Sequence, residues 1–268
     1  MKNVLTIAGS DSCAGAGIQA DLKTFSALGT YGMSVITAVT AQNTMGVFNI
    51  REMDVDIVRE QINCLFDDID IHAVKIGMVS SIEIIRTIEQ CLIDNGASKI
   101  VVDPVMVSKS GCHLLRPEST AEFIKRLFPL SDIVTPNLFE AEVITGDKIS
   151  TIAEMKKAAI KIHALGARNV VIKGGHLTGD AVDIMYDGEN FNYFEEKRIN
   201  TKNTHGTGCT FSSAIAAHIA KGYTLVEAVK EAKQYTHGAI ENALELGHGV
   251  GPTNHFYNLY RKAGVLID

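Results

Sequence analysis

Short apolar runs and helix-period stretches take turns along most of this chain, and that rhythm dictates the class of fold it can build. The runs at residues 4–8, 33–40, 73–76, 100–102, 133–135 and 170–172 are rich in Val, Ile and Ala on successive positions. A strand that is apolar on both faces must be covered on both faces, as in a parallel sheet wrapped by helices. The intervening stretches, 16–28, 57–66, 82–94, 117–127, 138–145 and 152–165, carry the apolar period of helices. The expected fold is therefore α/β, with a central, mostly parallel sheet flanked by helices on both faces.

One stretch departs from the rhythm. Residues 181–186 and 191–194, on either side of Asp187-Gly188, read as an antiparallel hairpin added to the sheet. Two further helices are expected at 207–221 and 225–244. No Pro/Ser-rich linker, charge block or internal repeat divides the 268 residues, so 1–268 is read as one domain.

Composition narrows the function. A formal charge of −6 is the wrong sign for an extended nucleic-acid surface. No segment reaches the roughly 18 uninterrupted apolar residues of a membrane span. Residues 4–8 run directly into a Gly-rich turn and do not form a signal peptide, so a cytoplasmic location is expected. The five cysteines, Cys13, Cys64, Cys91, Cys112 and Cys209, are odd in number and lack CxxC spacing, which points to free thiols.

In an open parallel sheet, ligands gather outside the carboxyl ends of the strands, and the chemically suggestive residues of this chain follow its strands. Asn203-Thr204-His205-Gly206-Thr207-Gly208-Cys209-Thr210 leads into an apolar helix. Glycines at a helix mouth let backbone amides converge on an anion, helped by the positive end of the helix dipole, which suits a phosphoryl group in transit. The competing reading is a plain Gly-rich turn with a Thr cap. Cys209 falls in the first helical turn, where a thiol pKa tends to be lowered and a thiolate could act as general base. It could equally be a small buried apolar residue.

Three more sites lie after strands. Asp103-Pro104-Val105-Met106 follows 100–102. Asn137 and Glu140, three residues apart on one helix face, could hold the waters of a Mg²⁺ ion, or could form a capping box. Lys173, at the end of 170–172, can reach a phosphate as a point charge, or be solvated surface. Gly15-Ala16-Gly17 superficially suggests a dinucleotide fingerprint. However, Ala20 stands at its last position and no acidic residue ends a second strand about 20 residues on, so a NAD-dependent oxidoreductase is disfavoured. Asp21, on the following helix, is a candidate to bind a polar ligand group.

Together these segments resemble the ribokinase superfamily, and within it the hydroxymethylpyrimidine/phosphomethylpyrimidine kinases. The matching elements include Ala8-Gly9-Ser10-Asp11, the run from Gly15 to Thr24, Ala41-Gln42-Asn43-Thr44, Lys75-Ile76-Gly77-Met78, Lys173-Gly174-Gly175-His176 and Gly249-Val250-Gly251-Pro252. The resemblance covers nearly the whole chain. It implies a ribokinase-like fold, ATP as phosphoryl donor and Mg²⁺ as cofactor. The implied acceptors are an aminopyrimidine alcohol and its monophosphate, phosphorylated in turn to the diphosphate.

The resemblance also implies roles. Gly206, Thr207, Gly208 and Cys209 would form the anion hole, with Cys209 as base where most superfamily members carry Asp. Gln42 and Asp21 would read the pyrimidine edge, with Gly9, Met78 and Val105 around the ring. Lys173, Asn137 and Thr207 would contact ATP; Asn137 and Glu140 would position Mg²⁺, with Asp103 assisting. Ser108-Lys109-Ser110-Gly111 resembles part of a lid. Cys13-Ala14 stands where relatives often carry Ser-Gly. Superfamily relatives are often dimers, so a homodimer is among the expectations, although no surface patch for it can be read from the pattern.

The nearest rival is a pyridoxal kinase of the same Cys-bearing branch. Gln42 favours the pyrimidine, because an amide offers donor and acceptor together to a ring nitrogen and its neighbouring amino group. A non-catalytic nucleotide-binding regulator is a further alternative, against which the Gly206–Cys209 segment and Glu140 both count.

Overall fold

A computed structural model describes residues 1–106, 117–175 and 181–265 of the chain. The described strands form a nine-stranded sheet in the order β3-β2-β1-β4-β5-β6-β7-β8-β9. Strands β1 (Asn3–Asp11), β2 (Tyr31–Asn43), β4 (Ala73–Ile76), β5 (Ile100–Val102), β6 (Ile133–Val134) and β7 (Val170–Ile172) are parallel neighbours. The expected hairpin is β8 (Ala181–Tyr186) and β9 (Phe191–Glu196), antiparallel on the β7 side. The other edge is β3 (Gly46–Glu52), which the sequence reading left out.

Period-two alternation sends successive residues of each strand into different layers. Leu5, Ile7, Val74, Ile76, Val102 and Val134 pack in one buried cluster with Val58, Ile62, Ile85, Phe123 and Met155. Those residues bring in α2 (Val55–Asp68), α3 (Ile82–Asp94), α4 (Pro117–Leu127) and α6 (Ile152–His163), with α5 (Leu138–Thr145) joining through Ala141. Val4, Ala73, Val101, Ile133 and Val171 pack on the opposite side. There they meet α1 (Gly17–Ala27), α7 (Thr207–Ala220) and α8 (Leu225–Glu241). Helix α9 (Tyr257–Ala263) follows them. Capping boxes, Asn137/Glu140, Thr151/Glu154 and Thr224/Glu227, set the starts of α5, α6 and α8.

Two features of the sheet place a site. The chain leaves β1 for β2 on one side and returns to β4 on the other, so the crevice beyond β1 and β4 is a topological switch point. Strand β2 continues past its pairing with β1, and its register with β3 shifts between Ala41 and Gln42. Such a bulge re-aims the side chain that follows it. Among the described residues, no helix is long and apolar enough to cross a membrane.

Candidate active site

A cavity of about 580 Å³ opens at the switch point, lined by residues from the carboxyl ends of six parallel strands and the mouth of α7. Gly9, Ser10 and Asp11 come from β1; Thr40 and Gln42 from β2; Met78 from just beyond β4. Asp103 and Val105 follow β5, Asn137 and Glu140 follow β6, and Lys173 follows β7. His205, Gly206, Thr207, Gly208 and Cys209 complete the wall. A second hollow of about 260 Å³ lies beside it, between β8–β9 and α7–α8, and Lys173 and Thr207 line both.

The mouth of α7 has the backbone of an anion hole. Gly206 caps the helix at φ 82°, a left-handed conformation that suits glycine, and a Cβ there would fall 1.7 Å from the Gly15 carbonyl oxygen. The Thr207 amide donates back to the Thr204 carbonyl (3.3 Å) and the Thr210 amide to the Gly206 carbonyl (2.8 Å). Between them, the amides of Gly208 and Cys209 belong to the first turn, where helix geometry supplies no partner, and both residues face the cavity. The C-terminal segment holds this loop in place: His205 N donates to Gly251 O (3.0 Å) and Thr253 N to His205 O (3.1 Å).

Across the cavity, Asp103 accepts from Lys173 Nζ at 3.0 Å, Thr135 Oγ1 at 3.2 Å and Ser212 Oγ at 3.2 Å. Burial works against the Lys173 ammonium, but Asp103 and Glu140 outweigh it and hold its pKa above the ordinary lysine value. Glu140 is pushed up to about 7 by burial, against the pull of Lys173. Asn137 and Glu140 do form the capping box: Asn137 N donates to Glu140 Oε2 (2.7 Å) and Glu140 N to Asn137 Oδ1 (2.9 Å). Both also line the cavity, so capping and ligand binding are compatible here. The described residues contain no group of three or more His, Cys, Asp or Glu placed to hold a metal. Two carboxylates near a phosphate site nonetheless fit Mg²⁺, which keeps several waters and takes remaining ligands from substrate phosphates.

Two expectations need correction. Asp21 does not reach the cavity. Helical period puts it on the inner stripe of α1 with Ile18 and Phe25, and its carboxylate accepts from Lys75 Nζ (2.9 and 3.0 Å), Thr6 Oγ1 (2.6 Å) and Ser213 Oγ (2.5 Å). Cys209 lines the cavity as expected, but its thiol is not acidified. Burial pushes it up to about 11, with Lys75 opposing. The Ser108–Gly111 segment and His176 lie outside the described residues.

The sequence reading missed a polar chain along the substrate wall. Asp11 accepts from His205 Nε2 at 2.8 Å and from the amides of Cys13 (2.8 Å), Gly15 (3.1 Å) and Ala16 (2.8 Å). Burial would raise its pKa, but His205 and those amides hold it below the ordinary carboxylate value. The Gly-rich loop therefore wraps a carboxylate of its own. Gln42 lies 3.3 Å from the same His205 Nε2 atom. The adjacent motifs Gly9–Asp11 and Asn203–Thr210 held the signal, but only the fold brings Asp11 and His205 together.

Residues 11–254 match a family model described as phosphomethylpyrimidine kinase. The chain is 53% identical over 261 residues to a hydroxymethylpyrimidine/phosphomethylpyrimidine kinase of Rhizobium meliloti, covering 96% of this chain and 98% of that one. It is 52% identical over 254 residues to a thiamine biosynthesis bifunctional protein of Geobacter sulfurreducens, covering 94% of this chain and spanning only 52% of that longer relative. It is also similar to the crystal structure of an ADP complex of Bacillus subtilis pyridoxal kinase, with TM-score 0.89, 42% identity, and 95% and 97% of the two chains covered.

Proposed function

This chain belongs to the phosphomethylpyrimidine kinase family, and we propose that it carries out both ATP-dependent phosphorylations of that family's aminopyrimidine substrate in thiamine biosynthesis. The first acceptor is the hydroxymethyl group of 4-amino-5-hydroxymethyl-2-methylpyrimidine, and the second is the resulting monophosphate. The observation that carries the reading is one cavity with an amide, Gln42, on one wall and the glycine-bounded mouth of α7 on another.

In this reading the ring lies against Met78 and Gly9, where a Cβ on Gly9 would fall 2.9 Å from the Met78 sulfur. Gln42 reads the ring edge, and Val105 closes the wall. The nucleotide occupies the neighbouring hollow, with its phosphates at Lys173, Asn137 and Thr207, the first and last of which line both spaces. The hydroxyl oxygen attacks the γ-phosphorus as the bond to the ADP oxygen breaks. The amides of Gly208 and Cys209 and the Lys173 ammonium face the charge that develops on the transferred group. Bound Mg²⁺ would neutralise phosphate charge, held by Glu140, Asn137 and Asp103 directly or through water.

The alcohol proton needs an acceptor, and Cys209 is the titratable residue at the mouth of α7. Because burial pushes its thiol pKa up to about 11, the thiolate is scarce at neutral pH and grows with pH. The monophosphate carries an anionic oxygen already, so its transfer makes no such demand. A cytoplasmic setting fits the use of ATP. A homodimer would have apolar surface available on the β2–β3 edge, where Val39, Met45 and Phe48 are exposed; sedimentation of the purified chain tests it.

The rival acceptor is pyridoxal, which the structural likeness to a pyridoxal kinase keeps in view. Measuring ADP formation with the pyrimidine alcohol, its monophosphate and pyridoxal side by side separates the readings. Turnover of both pyrimidines is expected. Turnover of pyridoxal alone would overturn the proposal.

A further inference from the structure

The amide of Gln42 has two neighbours that decide which way round it stands. Its terminal atoms lie 3.3 Å from His205 Nε2 and 3.2 Å from Thr40 Oγ1. With the nitrogen toward His205 and the oxygen toward Thr40, the first contact sets donor against donor and the second makes the Thr40 hydroxyl divide one hydrogen between two acceptors. Asp11 is an ionised acceptor 2.8 Å from His205 Nε2, so that ring nitrogen must carry a proton and donate it. A second donor, the amide nitrogen, would then face a donor. Likewise the Thr40 hydroxyl lies 3.0 Å from the Ser10 carbonyl, which can only accept. With the amide reversed, its single hydrogen goes there, leaving an oxygen lone pair to accept from the Gln42 NH₂.

Turning the amide round removes both conflicts: its oxygen shares the His205 Nε2 proton as a second, longer acceptor beside Asp11, and its NH₂ donates to the Thr40 hydroxyl. From this we infer that Asp11, His205 and Thr40 form an orientation lock on Gln42, and that the lock makes the enzyme select the 4-amino pyrimidine over its 4-oxo counterpart. The step from lock to selectivity is one of hydrogen-bond order. An amide edge fixed this way presents an acceptor on the His205 side and a donor on the Thr40 side. A 4-aminopyrimidine offers an amino donor next to a ring-nitrogen acceptor, which complements that order. The 4-oxo analogue offers a carbonyl acceptor next to a ring N–H, the reverse order. A freely flipping glutamine would take both; a locked one leaves two like groups facing each other with the oxo ring.

His205 is itself held against rotation. A Cβ on Gly15 would fall 2.2 Å from its Cδ2 atom, so the imidazole packs directly on the Gly15 backbone. His205, Asp11 and Thr40 are thus positioning residues that act through Gln42. The inference rests on the functional reading above, in which Gln42 meets the pyrimidine edge.

The test compares the KM for the 4-amino alcohol with the inhibition constant of the 4-oxo analogue, 5-hydroxymethyl-2-methylpyrimidin-4-one, in wild type and variants. Wild type should favour the amino compound by at least about 10-fold, the scale of a mispaired polar edge. Thr40→Val keeps the side-chain shape and removes the acceptor for the amide NH₂, so the preference should shrink several-fold. Thr40→Ser restores the hydroxyl and should restore the preference. His205→Phe removes the other half of the lock and should shrink the preference in the same direction, which covers the case of a poorly folded Thr40 variant. A wild type that binds both compounds equally, or variants that keep the full preference, would overturn the lock while leaving the kinase reading intact. Absence of turnover on the amino alcohol would instead sink the functional reading.

Discussion

Lys75 and Asp21 form an ion pair at 2.9 Å with both side chains fully withdrawn from solvent, close enough to Cys209 for both charges to act on its thiol. Period-two alternation in β4 turns Lys75 toward α1 and α7, and Ser213, one helical turn past Cys209, donates to the same carboxylate. Burial works against the ammonium, but Asp21 and the neighbouring Asp103 and Cys209 together outweigh it and hold its pKa above the ordinary lysine value. The pair is a structural support for the site floor and is not a substrate contact.

Lys75→Met should therefore act on stability before chemistry. It leaves Asp21 as a buried charge without its partner, a loss on the order of 3–5 kcal/mol. Urea denaturation reads this as a lower midpoint. The accompanying check is the substrate KM of whatever folded enzyme remains, which should stay near wild type; a large KM effect with unchanged stability would restore Asp21 and its partner to the binding surface.

Glu140→Gln separates capping from metal positioning. Glutamine keeps an acceptor for the Asn137 amide, so the fold should persist, while the Mg²⁺ concentration for half-maximal rate should rise severalfold. An unchanged Mg²⁺ titration would return the pair to capping alone. The variant should also alter the pH dependence of stability. The native carboxyl holds its proton up to about 7 whereas the unfolded one ionises near 4.5, so the native state binds more protons between those values. This group's contribution to stability thus falls as pH rises through that window. Glu140→Gln should remove that decline.

Gln42→Leu should cost the pyrimidine about 1–3 kcal/mol in kcat/KM, since the ring edge would be left unpaired on binding. If kcat/KM for the alcohol stays at the wild-type value, the ring is read elsewhere.

The sheet was legible because its central strands carry apolar residues on both faces, and a parallel sheet with two covered faces buries such runs. Strand β3 escaped notice because Val47, Asn49 and Arg51 alternate without a buried face, and Phe48 points to solvent. The cavity wall was legible because its residues follow strands, as Asp103, Asn137 and Lys173 do. Asp21 was misread because an acidic residue on a buried helix stripe looks like a ligand contact until its cation is known, and Lys75 is 54 positions away. The Asp11–His205 pair spans 194 positions, a separation that no local pattern bridges. The Cys209 thiol shows the remaining limit: position at a helix mouth favours the thiolate, whereas burial, which no local pattern shows, pushes the thiol pKa up.

The central claim is that one helix mouth serves two transfers, of which only the first needs a proton acceptor. Cys209→Ala tests it on both substrates with the same purified protein, because it removes the thiol and keeps the backbone amides of α7. Loss on the alcohol should be on the order of 10²-fold, the usual contribution of a general base, with a far smaller loss on the monophosphate. Gly206→Ala is the reference, since a Cβ 1.7 Å from the Gly15 carbonyl must disturb the amides and so damage both steps together. Equal losses on the two substrates in Cys209→Ala would contradict the account and make the thiol a packing residue or a contact of the transferred phosphate.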